Sequence, residues 1–368
     1  MRWVSAMCVL LLSFFGSNAD AQDRQPDWLS CLFAEGQAHG AFVIRHHREM
    51  MVLTDGYFSM WELSLMKQTN GSTFYSYLRK YPRVGLTYRY SDFGGSQMLG
   101  DVHALMAFIG FPVATRQGLQ IGFRIGIGPA YVSKKFDRYD NYRNLAIGSQ
   151  LNAAVSFQLN TRWRLSTRTY FVAAAGLMHI SNGTMRTPNF GLNMPGLSAG
   201  LGFKLNDQKI HYQNPKVVET RRNQQHFRLQ ASVASRQIRR HWDEEFTVYI
   251  ATAAYSWFYS DANQVLLVVD GVYDESTKYQ MDEEGRPTNE LMNVAKIGVS
   301  LGHEWVFSRL SLFMNLGYYV HNYFDADNSV YNKLGVNLDV TRFLYLGITL
   351  QAHWAKSEFF SAGLGIKL

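Results

Sequence analysis

The sequence predicts an all-β fold: a single antiparallel barrel crossing an outer membrane, with more than eight strands, roughly fourteen to sixteen. Three observations predict it. The chain opens on an export signal, and no later stretch supplies the roughly 20 apolar residues a spanning helix needs. Segments of about ten residues alternate polar and apolar side chains, the length of a tilted strand in a bilayer. Hydrophobicity is spread thinly, since aromatics make 14% of the chain and Gly contributes 30 residues while the mean hydropathy is only -0.17.

The N-terminus sets the compartment. Met1-Arg2-Trp3 is positively charged, Val9 to Phe15 is an apolar run too short to span a bilayer, and Asn18-Ala19-Asp20-Ala21 places small residues where a signal peptidase cuts. Residues 1–21 are expected to be a cleaved signal peptide and 22–368 the barrel. Cys8 leaves with the signal, so Cys31 remains alone and the exported chain folds without an internal disulfide. Cys31 lies too far beyond the apolar run for lipid attachment. The formal net charge of +7 is unchanged by cleavage, which removes Arg2 and Asp20. It suits an anionic outer-membrane surface. Export disfavours nucleic acid as a partner.

The period-two pattern recurs along the chain. Alternate side chains of a strand point to opposite faces. Arg83, Gly85, Thr87 and Arg89 oppose Val84, Leu86, Tyr88 and Tyr90. Gln120, Gly122, Arg124 and Gly126 oppose Leu119, Ile121, Phe123 and Ile125. Arg228, Gln230 and Ser232 oppose Phe227, Leu229 and Val233. Lys296, Gly298, Ser300 and Glu304 oppose Ile297, Val299, Leu301 and Trp305, and Lys333, Asn337 and Asp339 oppose Leu334, Val336 and Val340. The polar sets suit a lumen and the apolar sets suit lipid. A soluble sandwich would have shorter strands and closer turns. The last segment, Phe360 to Leu368, alternates to the final residue, as closing strands of barrels do. Many such strands end in Phe, and this one ends in Leu368. Turns are expected at Asn70-Gly71, Asp92 to Gly95, Asp137 to Asn144, Asn206-Asp207 and Asp325 to Asn328. Two polar stretches, 206–225 with Pro215 and 274–293, are expected to be extended loops, the first dividing the chain into halves.

One stretch is out of character for a passive barrel: His179-Ile180-Ser181-Asn182-Gly183, then Pro188-Asn189-Phe190-Gly191-Leu192-Asn193. His179 and Ser181 share a strand face with Cα atoms about 7 Å apart, close enough for an imidazole to reach a hydroxyl. A nucleophile and its general base need that geometry. The backbone around Asn182-Gly183 and Pro188 to Gly191 offers turns whose N–H groups would bind an oxyanion. The preceding residues, Phe171 to Met178, are apolar on both parities, so the sequence leaves open whether the pair faces lipid or lumen.

The stretch HISNGTMRTPNFGLN resembles the active-site segment of the lipid A 3-O-deacylases, barrels of the Gram-negative outer membrane. His179, Ser181, Asn182, Pro188, Asn189 and Gly191 carry the resemblance at the family's spacing. It implies an esterase that removes a fatty acyl chain from lipopolysaccharide, with lipid A as substrate and outer-membrane lipid as surroundings. Ser181 would be the nucleophile and His179 the base, with Asn182, Gly183 and Asn189 as oxyanion-hole candidates. No metal or cofactor is required. The clear match covers His179 to Asn193, and a looser one runs from about residue 83 to 205. Family barrels are smaller, about eight strands, and the additional strands of 227–368 have no expected counterpart in them.

One departure matters. The family's Glu, which orients the histidine, is replaced at its spacing by Asn193. An Asn accepts a hydrogen bond from the imidazole and holds its tautomer, as in Cys-His-Asn enzymes, but it carries no charge. Glu358, on the parity of the apolar set of the last strand, is the alternative acid. The other histidines, His46-His47, His103, His303, His321 and His353, lack metal-ligand spacing. The rival reading is a non-catalytic barrel, a pore or ligand-binding protein with a degenerate site, lined by Lys296, Glu304, Lys333 and Asp339. Its discriminant is direction: a lipid-facing pair favours the enzyme and a lumen-facing pair favours the pore.

Overall fold

The computed structural model describes residues 31–368 except 55, 207–208, 215–219, 240–243, 325–327 and 355. The expected signal segment 1–21 lies outside the described residues, as do Pro215 and the turn positions Asp207 and 325–327. Contacts divide the chain into two compact units: Met1–Asn182 with Pro188–Lys216, and Gly183–Thr187 with Val217–Leu368.

Among the described residues sixteen strands form, within the expected range, but they do not close as one barrel. In the first unit β1 (Leu32–Phe42), β2 (Tyr57–Gln68), β3 (Arg83–Ser91), β4 (Val102–Arg116), β5 (Leu119–Val132), β6 (Leu151–Arg164), β7 (Thr169–Ser181) and β8 (Leu192–Lys204) make a closed antiparallel barrel. β8 returns to β1, with Phe33 opposite Lys204 and Ala41 opposite Gly196. The second unit holds β9 (Gln225–Arg236), β10 (Phe246–Ser260), β11 (Asn263–Asp274), β12 (Ala295–Phe307), β13 (Leu310–Asn322), β14 (Val330–Asp339), β15 (Leu344–His353) and β16 (Lys356–Lys367). β16 closes on β9, Lys367 opposite Arg228. The reason for two barrels is edge pairing. Once β8 pairs with β1, the first sheet has no free backbone edge for β9 to extend, and an unpaired backbone group in lipid costs several kcal/mol. The polar stretch after β8 is the connection between the barrels. The other polar stretch, 274–293, is not all loop: it carries helices α2 (Glu275–Glu283) and α3 (Leu291–Val294). Asp274 caps α2 by accepting from the Ser276 N–H at 2.8 Å. Helix α1 (Phe74–Leu78) lies in the first unit.

Side chains alternate as the sequence requires, polar inward and apolar outward. Leu63 is 66% exposed and Leu197 70%, whereas Glu35, Glu62, Arg89 and Arg124 are buried in the first barrel. An isolated charge there would be expensive, and each is paired. Glu62 accepts from Arg89 Nε at 2.8 Å, from Arg124, and from Gln37 at 3.2 Å, with His39 Nε2 at 3.1 Å. Glu35 accepts from Arg162 Nε at 2.7 Å and the Tyr170 hydroxyl at 2.8 Å. At the β1–β2 end the lumen turns apolar, filled by Met60, Met106, Met178, Ile180 and Met194. In the second barrel the residues of the pore reading are taken up in ion pairs. Lys296 binds Glu358 at 3.2 Å, Arg228 binds Glu304 at 2.8 Å, Lys333 binds Asp270 at 2.7 Å, and Lys367 meets Asp339. An eight-strand barrel is just wide enough for such side chains. A cavity of about 50 Å³, lined in part by Arg228, Asn315 and Lys333, has room for little beyond water.

The ends of the first barrel differ. The connections 43–56, 92–101, 133–150 and 182–191 lie at one end, and the tight turns Gln117–Gly118 and 165–168 lie at the other with the longer 69–82.

Candidate active site

The site is built on the β7–β8 pair at the long-loop end. Register places His179 directly opposite Asn193. On β7, His179 shares its face with Ala175 and Leu177, both exposed, while Met178 and Ile180 point into the apolar lumen. On β8, Asn193 shares its face with exposed Leu197 and Leu201. The pair therefore projects from the outer, lipid-facing surface, which settles the direction the sequence left open.

The contacts form a chain. His179 Nε2 lies 2.8 Å from Ser181 Oγ, and His179 Nδ1 lies 2.8 Å from Asn193 Oδ1. A carboxamide oxygen only accepts, so it holds the proton on Nδ1 and leaves Nε2 free to accept from the serine hydroxyl. Ser181, His179 and Asn193 are thus brought together as expected. Ser181 is only 5% exposed, and Gly191 of the returning segment abuts it.

Gly191 is where that segment touches the pair. Its φ of 74° lies in the left-handed region. A Cβ there would sit 2.9 Å from His179 Cε1, 3.2 Å from the Ile180 carbonyl oxygen and 3.4 Å from Ser181 Cβ. Only a residue without a side chain lets the segment approach so closely.

The expected free N–H groups are otherwise disposed. Phe190 N–H donates to the Leu145 carbonyl at 3.2 Å and Gly191 N–H to the Ala146 carbonyl at 3.0 Å. The 133–150 connection that supplies these acceptors is braced by buried Asn144, whose Nδ2 donates to the Met98 and Lys134 carbonyls at 3.0 Å each. Backbone N–H groups of Asp140 and Tyr139 stabilise the Asp137 carboxylate in the same connection and hold it below its usual range. The Asn182 N–H donates to Asn189 Oδ1 at 3.1 Å, and Asn182 Nδ2 donates to Ser149 Oγ at 2.8 Å. With its oxygen so fixed, Asn189 turns Nδ2 the other way, buried and without a hydrogen-bond partner among the described residues. Gly183 turns the chain out of β7 at φ 62° and is counted with the second unit.

Glu358 is not the acid of this site. It accepts from Lys296 at 3.2 Å and Gln351 at 2.7 Å, with His353 Nε2 at 3.1 Å, inside the second barrel. A β-bulge explains the failed parity. Gln351 opposes Phe359 and Ala352 opposes Ser357, so Glu358 is the extra residue and turns inward although Ala362 and Leu364 do not. Sequence reasoning missed Ser149 and the Leu145–Ala146 acceptors, which no local pattern connects to Ser181.

The family model described as lipid A 3-O-deacylase (PagL) matches residues 61–202, and that of the acyloxyacyl hydrolase C-terminal domain matches residues 225–368. The first match begins one strand earlier than the resemblance did, and the later strands match a separate model rather than an extension of the first. No curated protein matches the chain in sequence. Among solved structures, the crystal structure of the outer membrane enzyme PagL is 17% identical, with a TM-score of 0.30, over 45% of this chain and 97% of that one. Neisserial surface protein A is 13% identical, with a TM-score of 0.32, over 47% of this chain and 96% of that one. A Rhodopseudomonas blastica porin mutant is 9% identical, with a TM-score of 0.18, over 92% of this chain and 99% of that one.

Proposed function

We propose that this outer-membrane protein hydrolyses a fatty acyl ester of lipopolysaccharide with Ser181, His179 and Asn193; the matches of residues 61–202 to the lipid A 3-O-deacylase model and of residues 225–368 to the acyloxyacyl hydrolase C-terminal domain model support the reading. The observation that carries the reading is the hydrogen-bonded chain of these three residues on the lipid-facing wall. Outer-membrane barrels keep longer loops outside and short turns in the periplasm. The long-loop end is then the extracellular one, and the triad sits at the leaflet that holds lipopolysaccharide.

His179 Nε2 takes the proton as Ser181 Oγ attacks the ester carbonyl carbon. The carbonyl oxygen becomes an oxyanion, to which the unpartnered Asn189 Nδ2 is assigned as a donor. The Asn182 N–H serves by fixing the Asn189 carboxamide. The tetrahedral intermediate collapses, the sugar oxygen leaves with the proton from His179, and the acyl group stays on Ser181. Water, deprotonated by His179, then releases the fatty acid and restores the serine. Asn193 keeps the tautomer throughout but does not neutralise the imidazolium.

The test is covalent labelling with a fluorophosphonate, which reacts with activated serines. Labelling of Ser181 in the wild type, lost in His179→Ala, supports the reading. An unlabelled Ser181 in folded protein that still cleaves lipopolysaccharide would refute it.

A further inference from the structure

The sequence holds a histidine pair, His46-His47, that the mechanism does not use. Both lie in the β1–β2 connection, and both touch Phe190, in the segment that returns past Ser181. His46 Nε2 lies 3.2 Å from the Phe190 carbonyl oxygen. The His47 ring stacks on Phe190 with centroids 4.2 Å apart and planes 25° from parallel. Phe190 immediately precedes Gly191, the residue that abuts His179 and Ser181.

His46 is tied to the triad from its other side as well. Its Nδ1 lies 3.2 Å from the Ile44 carbonyl oxygen, so the single N–H of a neutral imidazole donates to Phe190 or to Ile44 and the other nitrogen is in contact only; the Ile44 N–H donates to the Asn193 carbonyl at 2.8 Å. The contacts make a ring: His179 to Asn193, through Ile44 to His46, through Phe190 to Gly191, and back to His179. The Leu145 and Ala146 carbonyls hold the segment through its N–H groups, and the two histidines meet its Phe190 carbonyl and ring.

We propose that His46 and His47 are positioning residues of the esterase site: they fix the Asn189–Gly191 segment, and with it the oxyanion donor and the His179 ring. The inference rests on the esterase reading above. Neither histidine contacts the reacting atoms. Their loss misplaces groups whose position matters to a fraction of an ångström, so it lowers kcat more than it raises KM. The geometry also specifies what each position requires. At 46 it is an N–H donor at the reach of Nε2, which Gln supplies and Leu does not. At 47 it is a flat ring, which Phe supplies and Ala does not.

The full-length protein in detergent micelles is assayed on purified lipopolysaccharide. His46→Leu is expected to lose about tenfold in kcat with KM changed less than about twofold, and His46→Gln to recover to within about threefold of wild type. His47→Ala is expected to fall and His47→Phe to hold. Hydrogen exchange at the Phe190 and Gly191 amides, which needs no turnover, should be faster in His46→Leu and normal in His46→Gln. A His46→Leu enzyme with wild-type kcat, a loss confined to KM, a His46→Gln enzyme as slow as His46→Leu, or unchanged exchange would each overturn the inference. Wild-type protein no more active than Ser181→Ala would instead fail the esterase reading itself, and the exchange measurement separates the two failures.

Discussion

Adding one methyl group at Gly191 is the sharpest perturbation the structure offers. The Cβ of Gly191→Ala would meet His179 Cε1 at 2.9 Å and the Ile180 carbonyl oxygen at 3.2 Å. Carbon atoms rest at about 3.5–4.0 Å, so the ring or the segment must yield by about half an ångström. The Ile180 carbonyl belongs to the β7–β8 ladder, where Ile180 opposes Leu192, and it does not give way easily. The φ of 74° adds about 1–2 kcal/mol for any L residue with a side chain. The segment therefore lifts, or the imidazole turns from Ser181. Displacement by about 1 Å costs on the order of 100-fold in rate, so a shift of half that size predicts a kcat at least about tenfold lower. Fatty acid released from purified lipopolysaccharide gives the rate, and heat-modified gel mobility reports whether the barrel is intact. A folded Gly191→Ala enzyme within about twofold of wild type would refute the steric reasoning.

Other substitutions test other links. Asn193→Glu restores a charge beside His179; hydrogen bonds to charged groups exceed neutral ones by about 1–2 kcal/mol, so kcat should rise roughly 5–30-fold, and a rate equal to or below wild type would count against a charge-limited site. Asn189→Ala removes the unpartnered donor and should lower kcat by about 10²–10³, with KM nearly unchanged; a small effect would move the oxyanion hole elsewhere. Glu62→Gln leaves Arg89 and Arg124 without their carboxylate and should destabilise the first barrel by about 3–5 kcal/mol, read as a lower urea midpoint in micelles. Glu358→Gln should leave kcat within about twofold of wild type, because Asn193 and not Glu358 meets His179; a large loss of kcat in folded protein would reinstate it as the acid.

Period two made the strands legible. Gln120 to Gly126 against Leu119 to Ile125 needs no partner to be read, and the structure buries Gly122, Arg124 and Gly126 of the first set and exposes or half-buries the second. Closure was not legible, because the pairing of Phe33 with Lys204 joins residues far apart in sequence and leaves no local mark. The approach of His179 and Ser181 followed from strand geometry. Their direction did not, for a physical reason: Met178 and Ile180 face a lumen that is itself apolar at this end, so both faces of β7 read alike there. Glu358 failed through a single bulged residue, which reverses parity without changing composition. The N–H groups of Phe190 and Gly191 looked free because their acceptors, Leu145 and Ala146, belong to a distant connection.

The account depends on a hydroxyl activated on the wall of the barrel rather than within it. Mass spectrometry of lipid A from cells producing wild-type protein or Ser181→Ala tests this most directly, in a strain whose lipid A carries ester-linked acyl chains. The account predicts lipid A lighter by one fatty acyl chain with wild type and full-length acylation with Ser181→Ala. Identical acylation in both, or cleavage that persists without the serine hydroxyl, would contradict it.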